Sequence, residues 1–402
     1  MNRLVYLGCL LLVACETQHS PTRGDQPNFG ELPAAGRRLI DANNWRVVVS
    51  PDGNWGYDPR GEILGIYGGG AEFPANSGQN GLYAGGLYVG GLKNGVPIVS
   101  SIEFGSEFTP GFITNNEAAE IVNLKASNPD SMRVWIISDD PTSADWQTWP
   151  KDIGAPIDNS GLPRRISDMD SWTVFHDLNA DTLGYDDPPG EAMGLQIVRR
   201  TMMYSVPPLR DVFLLDFTIT NKSTTAYQSA YITLWCDHDL REASNDVIGT
   251  DSSRNMVYVY NYTDGDSWNN QEYAIGYKLL YFSNYAVPHL DATAWYSNGT
   301  DPYNDQQRYF VQQGLRTNGA LSFGADSSRP QFVWTGDPVT GVGLIDTMRG
   351  NRRLLASVGP FTMESGGVYR VVYAILGASA ATRKDAIVEL RRLADKLVYF
   401  PD

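Results

Sequence analysis

From Asp211 to Cys236 the chain alternates so regularly that an extended backbone with two different faces is the conformation that suits it. Phe213, Leu215, Phe217 and Ile219 fall on one side, Asp216, Thr218 and Thr220 on the other. Asn221-Lys222-Ser223 turns the chain, and Ala226–Cys236 returns it with Tyr231, Thr233 and Trp235 opposite Ile232, Leu234 and Cys236. A period of two marks strands that bury one face. Gly367–Leu376 repeats the pattern, and further strand-length runs stand at Trp45–Val49, Met132–Ser138, Ser171–Phe175, Met193–Ser205, Met256–Tyr260, Glu272–Phe282, Gln331–Trp334 and Leu354–Val358. Strand, turn, strand is the rhythm of a sandwich. The 40 Gly, 23 Pro and 22 Tyr among 402 residues favour short strands and many turns over helices.

The expected fold is therefore mainly β, with antiparallel sandwich-like sheets in two packed β domains and one C-terminal amphipathic helix. That helix, Thr382–Phe400, gathers Ile387, Leu390, Leu393, Ala394 and Leu397 on one stripe. Residues 41–192 form a Gly- and aromatic-rich unit, and residues 193–402 a sandwich-like unit. In the first, a hairpin is expected from Leu82–Val89 and Val96–Ile102 around Lys93-Asn94-Gly95, because Asn-Gly tolerates positive φ. The doublets Gly85-Gly86 and Gly90-Gly91 lack the pattern of a phosphate loop and read as places where backbone or rings approach closely.

The first residues carry an address. MNRLVYLGCLLLVAC has one early cation and then an apolar run too short to span a membrane. Leu12-Val13-Ala14-Cys15 matches a lipobox, so residues 1–14 read as a lipoprotein signal and Cys15 as the lipidated residue, followed by a flexible tether to about residue 40. Glu16 follows without an inner-membrane retention Asp, which points to the outer membrane. With Cys9 in the signal, Cys236 is left in the body, where its apolar neighbours argue for a buried thiol. A net charge of −15 disfavours nucleic acid.

Two acidic stretches are candidate cation sites. After Cys236 come Asp237, Asp239, Asn245, Asp246 and Asp251, between two apolar strands. Such density is either a solvated loop or a site for a hard, oxygen-seeking ion such as Ca²⁺. Asp177, Asn179 and Asp181 match positions 1, 3 and 5 of an EF-hand loop, but Thr182 and Pro188 stand where Gly and a bidentate Glu belong. A looser calcium loop is the remaining reading. Trp146, Trp149 and Trp268, in loop-like surroundings, either pack on the sheet or form a sugar-stacking platform.

Several separated stretches resemble one family when taken together. They are GLYAGGLYVGGLKNGVPIVSS with FGSEFTPG, WPKDIGAPIDNSGLPRRISDMDSWTVFHD, MGLQIVRRTMMYSVPPLRDVFLLDFTITNKS and SVGPFTMESGGVYRVVYAILGA. The most specific is W-x-D-x-D-L followed by N-D-x-x-G-x-D, carried by Trp235, Asp237, Asp239, Leu240, Asn245, Asp246, Gly249 and Asp251. They resemble a family of large exported all-β bacterial proteins that often end in a type IX secretion sorting domain. The resemblance implies an exported β body; the family brings no established activity, so it assigns no catalytic residue. This chain departs from it by the lipobox and by ending after the terminal helix.

Signs of catalysis are weak. His19, His176, His238 and His289 stand far apart with no HExxH, and no GxSxG elbow occurs. Carboxylates are so many that any glycosidase pair would be arbitrary. The leading expectation is a non-catalytic surface lipoprotein, a binding or envelope-structural module stiffened by Ca²⁺. Carbohydrate binding through aromatics is the alternative, and a glycan-active hydrolase stands behind it. Expected partners are the outer membrane, through the anchor, and glycans or other envelope proteins.

Overall fold

The computed structural model describes residues 36–115, 117–128, 132–180, 190–265 and 268–398. Asp181 and Cys15, named above as a metal ligand and the lipid attachment point, lie outside them, as does most of the tether.

The alternating strands build a sandwich of antiparallel sheets. The larger sheet has nine strands, in spatial order Trp135–Ile137, Met169–His176, Leu195–Met203, Val212–Asn221, Val368–Ala380, Glu272–Phe282, Met256–Asn261 and Asp246–Asp251, with Thr109–Pro110 added beside the second. The smaller has five, in order Ala292–Ser297, Arg352–Met363, Tyr227–Asp237, Ala84–Lys93 and Val96–Ser101. A four-stranded N-terminal sheet extends from Arg38 to Leu82, and Trp55 ties it to the five-stranded sheet through paired backbone hydrogen bonds with Gly85.

The main core lies between the two large sheets. Leu87, Val89, Ile232, Leu234, Cys236, Leu354 and Ala356 of the smaller face Phe213, Leu215, Phe217, Val259, Ile275, Val371 and Tyr373 of the larger. The alternation read in Ala226–Cys236 thus has its Ile232 face inside. Cys236 is buried, and burial pushes its thiol well up. Strands from both sides of residue 192 pair with each other, Met169–His176 with Leu195–Met203 and Tyr227–Asp237 with Ala84–Lys93. The regions 41–192 and 193–402 therefore share their sheets and one core instead of meeting as separate bodies, because their strands interleave.

Each sheet has a helix on its outer face. The Arg383–Asp395 helix, capped by Thr382, buries Ala386, Ile387, Leu390 and Ala394 against the nine-stranded sheet. The helix Asp305–Gln312, in a region whose sequence shows no apolar stripe, lies over the five-stranded sheet and buries Arg308, Tyr309, Val311 and Gln312. The expected strand Gln331–Trp334 is instead loop, with one isolated bridge from Val333 to Ala325.

Candidate functional site

The expected hairpin forms, with Asn94 and Gly95 at φ of 53° and 81° and strands Ala84–Lys93 and Val96–Ser101. Its glycine doublet explains what gathers at the end of the sheet. A Cβ on Gly85 would stand 2.2 Å from the Trp55 ring, and one on Gly86 would stand 1.8 Å from the Ile102 carbonyl oxygen. Gly85 faces inward and admits Trp55. Gly86 faces outward and lets the tight turn Ile102–Ser106 cross the sheet surface, which lays Phe104 edge-on against Trp235 at 5.2 Å.

Residues from six segments meet there. In register across the outer face stand Ala84, Asp237, Arg353 and Tyr296. Tyr83 immediately precedes Ala84, its backbone N–H donating to the Asp237 carbonyl, and Tyr57 follows the Trp55 bridge. The rings of Tyr57, Tyr83 and Phe104, all partly exposed, form a closed triangle with centroids 5.8, 5.9 and 6.0 Å apart. At these separations the rings touch edge to face and make one continuous aromatic patch.

A buried polar floor lies beneath. Arg353, 1% exposed, ion-pairs with Asp237 at 3.1 Å and with Asp301 at 3.0 Å, and its guanidinium lies 5.2 Å from the Phe104 ring. Beside it the Trp235 indole N–H donates to the Tyr296 hydroxyl at 2.6 Å. Tyr296 and Tyr88 share a hydrogen bond, Tyr88 donates to Glu103, and Arg308 of the covering helix faces Glu103 at 3.6 Å. Burial pushes the Asp237 carboxyl well up, with Asp239, Asp301 and Glu103 adding to the shift and Arg353 opposing it. The Tyr83 hydroxyl is also raised, first by burial, then by Tyr57 and by Asp237 and Asp239. Paired opposite charges beneath a partly exposed aromatic surface give a floor whose geometry is fixed by its own ion pairs.

The acidic residues expected to share an ion are spread over three places. Asp237 pairs with Arg353, and Asp239 stands within its electrostatic reach. Asp246 and Asp251 are the two ends of a strand, not members of a loop, so they stand about 16 Å apart, far beyond Ca²⁺–oxygen distances of about 2.3–2.6 Å. Asp246 accepts the Leu240 N–H at 3.4 Å, and Asp251 pairs with Arg254 at 2.9 Å and Arg391 at 3.3 Å. Asn245 is buried in the crossing between sheets, its carbonyl accepting the Tyr262 N–H. Asp177 is a buried latch that accepts from the Ser100 hydroxyl and the Met193 and Leu195 N–H groups at 2.7–2.8 Å, and Asn179 donates to Thr109. Among the described residues no group of three or more His, Cys, Asp or Glu is close enough to hold one ion.

The tryptophans expected as a platform do not come together: Trp149 is buried, and Trp146 and Trp268 are partly exposed in separate parts of the fold. Trp149 is buried and donates to the Pro156 carbonyl, and Trp146 leans on the cluster of Trp135, Trp149 and Trp172. Trp268 packs against the main core. The aromatic surface comes from Tyr57, Tyr83 and Phe104, whose shared location depends on strand pairing. A separate concavity in the 325–344 loops is lined by Asp326 and Asp337, but Ser328 and Thr335 already satisfy the first, and Thr340 and Arg391 the second.

No family model and no curated protein matches the chain. Among solved structures, a polysaccharide lyase aligns over 90% of this chain and 35% of its own, at 9% identity and a TM-score of 0.28. A protein named as a kojibiose phosphorylase from human microbiome aligns over 90% and 37%, at 7% identity and a TM-score of 0.27. The chain thus spans little more than a third of either protein, and likeness at this level supports no conclusion about function.

Proposed function

We propose that the chain is an exported carbohydrate-binding protein, anchored by lipid on Cys15 to the outer membrane, whose ligand lies across Tyr57, Tyr83 and Phe104. The observation that carries this reading is the closed triangle of half-exposed rings above a buried Arg353–Asp237–Asp301 floor. Sugar rings present apolar C–H faces that pack on aromatics and hydroxyls that bond to carboxylates and guanidinium groups. Binding fits the site better than turnover, because the floor's charged groups are committed to one another. Of the described histidines, His176 and His238 are buried and His289 is stacked on Tyr285, away from the rings.

The test is affinity electrophoresis of the full chain in detergent against a panel of polysaccharides. Tyr83→Ala should weaken retention by about tenfold, a loss of about 1.4 kcal/mol. Trp149→Ala should lower the melting temperature and leave retention of the folded protein unchanged. Retention that ignores Tyr83 and follows Trp149 would place the ligand elsewhere. The anchor is tested separately: labelled palmitate should enter the wild type and not Cys15→Ser.

A further inference from the structure

Two of the three rings in the patch share one mount. Tyr57 follows the turn of residues 50–54 through Trp55 and Gly56, and Phe104 sits in the turn Ile102–Ser106. Two hydrogen bonds tie these turns together. The Asn54 side-chain amide donates to the Glu103 carbonyl, and the Ser106 hydroxyl donates to the Asp52 carbonyl at 3.0 Å. Asn54 and Ser106 are both buried. Gly53, at a φ of 97°, closes the contact, since a Cβ there would stand 2.6 Å from the Ile102 side chain. Tyr83 is placed differently, by its backbone bond to Asp237 beside the start of the strand Ala84–Lys93.

The shared mount is held from the opposite sheet. Arg199 belongs to the strand Leu195–Met203, on the face that Ile197 and Met203 turn toward the main core. It is 0% exposed and donates to three carbonyls of the one turn, those of Ser50 at 3.0 Å, Gly53 at 2.6 Å and Asn54 at 2.8 Å. A charged donor holds its acceptors more tightly than a neutral one, so these bonds fix the turn's backbone. The bridge from Trp55 to Gly85 continues from that fixed point and carries Tyr57 to Tyr83 and Phe104. We infer that Arg199 is a positioning residue for the saccharide patch, although its three bonds all go to backbone and none to a ring. It seats the 50–54 turn, and the turn sets Tyr57 and Phe104 at their 5.9 Å separation. Rings held at a fixed spacing bind without the cost of ordering them first. This rests on the carbohydrate reading above and adds the part of the core that shapes the patch.

The full chain in detergent is titrated with laminarin, xylan, mannan and pectin, and the variants with whichever of the four binds tightest. Arg199→Met should weaken binding about tenfold. Arg199→Lys, which keeps the charge and three donors, should restore most of it. Asn54→Ala leaves the Arg199 bonds in place and breaks the link to Glu103, so it serves even if Arg199→Met fails to fold. It should weaken binding several-fold in the wild-type background and no further in Phe104→Ala, because the link acts through that ring. Melting curves confirm that each titrated variant is folded. A folded Arg199→Met that binds like the wild type, an Arg199→Lys no better than Arg199→Met, or an Asn54→Ala effect undiminished without Phe104 would overturn the inference. The carbohydrate reading would then still stand on its Tyr83→Ala test. Binding of none of the four polysaccharides would overturn both.

Discussion

The two helix-covered faces of the sandwich have the same architecture and opposite chemistry. Over the nine-stranded sheet, Ile387, Leu390, Ala394 and Leu397 pack on Met256, Tyr258, Ala274, Val372 and Leu376. Over the five-stranded sheet, the covering helix sets Arg308 against Glu103, donates from the Gln312 amide to Thr233 at 3.1 Å and from the Tyr309 hydroxyl to the Ser229 carbonyl at 2.8 Å. The first arrangement is stable and tolerant, because apolar packing is non-directional. The second fixes positions, because buried charges and amides need their particular partners. A sandwich needs the first kind of face to stay folded. The second is where a polar floor can be held rigid beneath a ligand.

The largest effect should separate the two faces. Arg353→Met removes the cation between Asp237 and Asp301 and should cost about 3–5 kcal/mol, as breaking a buried pair does. Saccharide binding should be lost with it. Leu390→Ala, under the other helix, should cost about 2–4 kcal/mol through its cavity and leave the affinity of the folded protein unchanged. Urea unfolding alongside titration measures both quantities. A Leu390→Ala protein that is folded yet fails to bind would mean that the faces are coupled.

The next effect is pH. His238, one residue beyond Asp237 but facing inward, shares a hydrogen bond with the Tyr277 hydroxyl at 2.9 Å. Burial, and secondarily Arg353, pulls its pKa down to about 3. Unfolded histidine takes its proton near 6.5, so the unfolded chain binds more protons between these values. Stability is therefore full above about pH 6.5 and is lost as pH falls toward 3, by several kcal/mol at about 1.4 kcal/mol per unit. Asp177 works the other way. Burial raises its carboxyl to about 6, so its contribution improves as pH falls from 6 toward its ordinary value. The sign is thus tested by difference: His238→Gln should flatten the acid loss seen in the wild type between pH 6.5 and 4. An unchanged slope would remove His238 as its source.

The contrast also explains which features were legible in the sequence. The C-terminal helix is readable because Ile387, Leu390 and Ala394 recur at the helical period and their partners need only be apolar. The covering helix is not, since its buried face is Arg308, Tyr309, Val311 and Gln312, and polar burial leaves no periodic signature. Likewise the strand alternation marks Trp235 and Asp237 as sharing a face. It does not say that Arg353, more than a hundred residues on, is Asp237's register partner. Acid density suggested a metal because the neutralising charge arrives from distant strands and loops. Trp146, Trp149 and Trp268 stand out in the sequence as large aromatics in loops, but the fold sets Trp146 beside Trp149 in one cluster and Trp268 against the main core, so they form no common surface. The partly exposed rings that meet are Tyr57, Tyr83 and Phe104, and the one local signal for their meeting is Gly85-Gly86, which admits Trp55 and Ile102 to either face.

The smallest effect is the sharpest test of the comparison, since it perturbs both helices alike. Asn304 caps the covering helix by accepting the Gln307 N–H at 3.0 Å, and Thr382 caps the C-terminal helix by accepting the Asp385 N–H at 3.2 Å. Replacing either by Ala should cost about 1 kcal/mol, the usual worth of an N-cap. Equal cost in stability need not mean equal cost in binding. Loosening the first turn at Asn304 frees the segment between Asp301 and Arg308, and both residues belong to the floor beneath the rings. Asn304→Ala should therefore weaken saccharide binding several-fold, and Thr382→Ala should not change it. Calorimetric melting with titration of the same samples measures the two costs together. If both variants lose affinity in proportion to stability, the polar helix is only a second structural clamp. If Asn304→Ala alone loses it, the helix over the five-stranded sheet is part of the site.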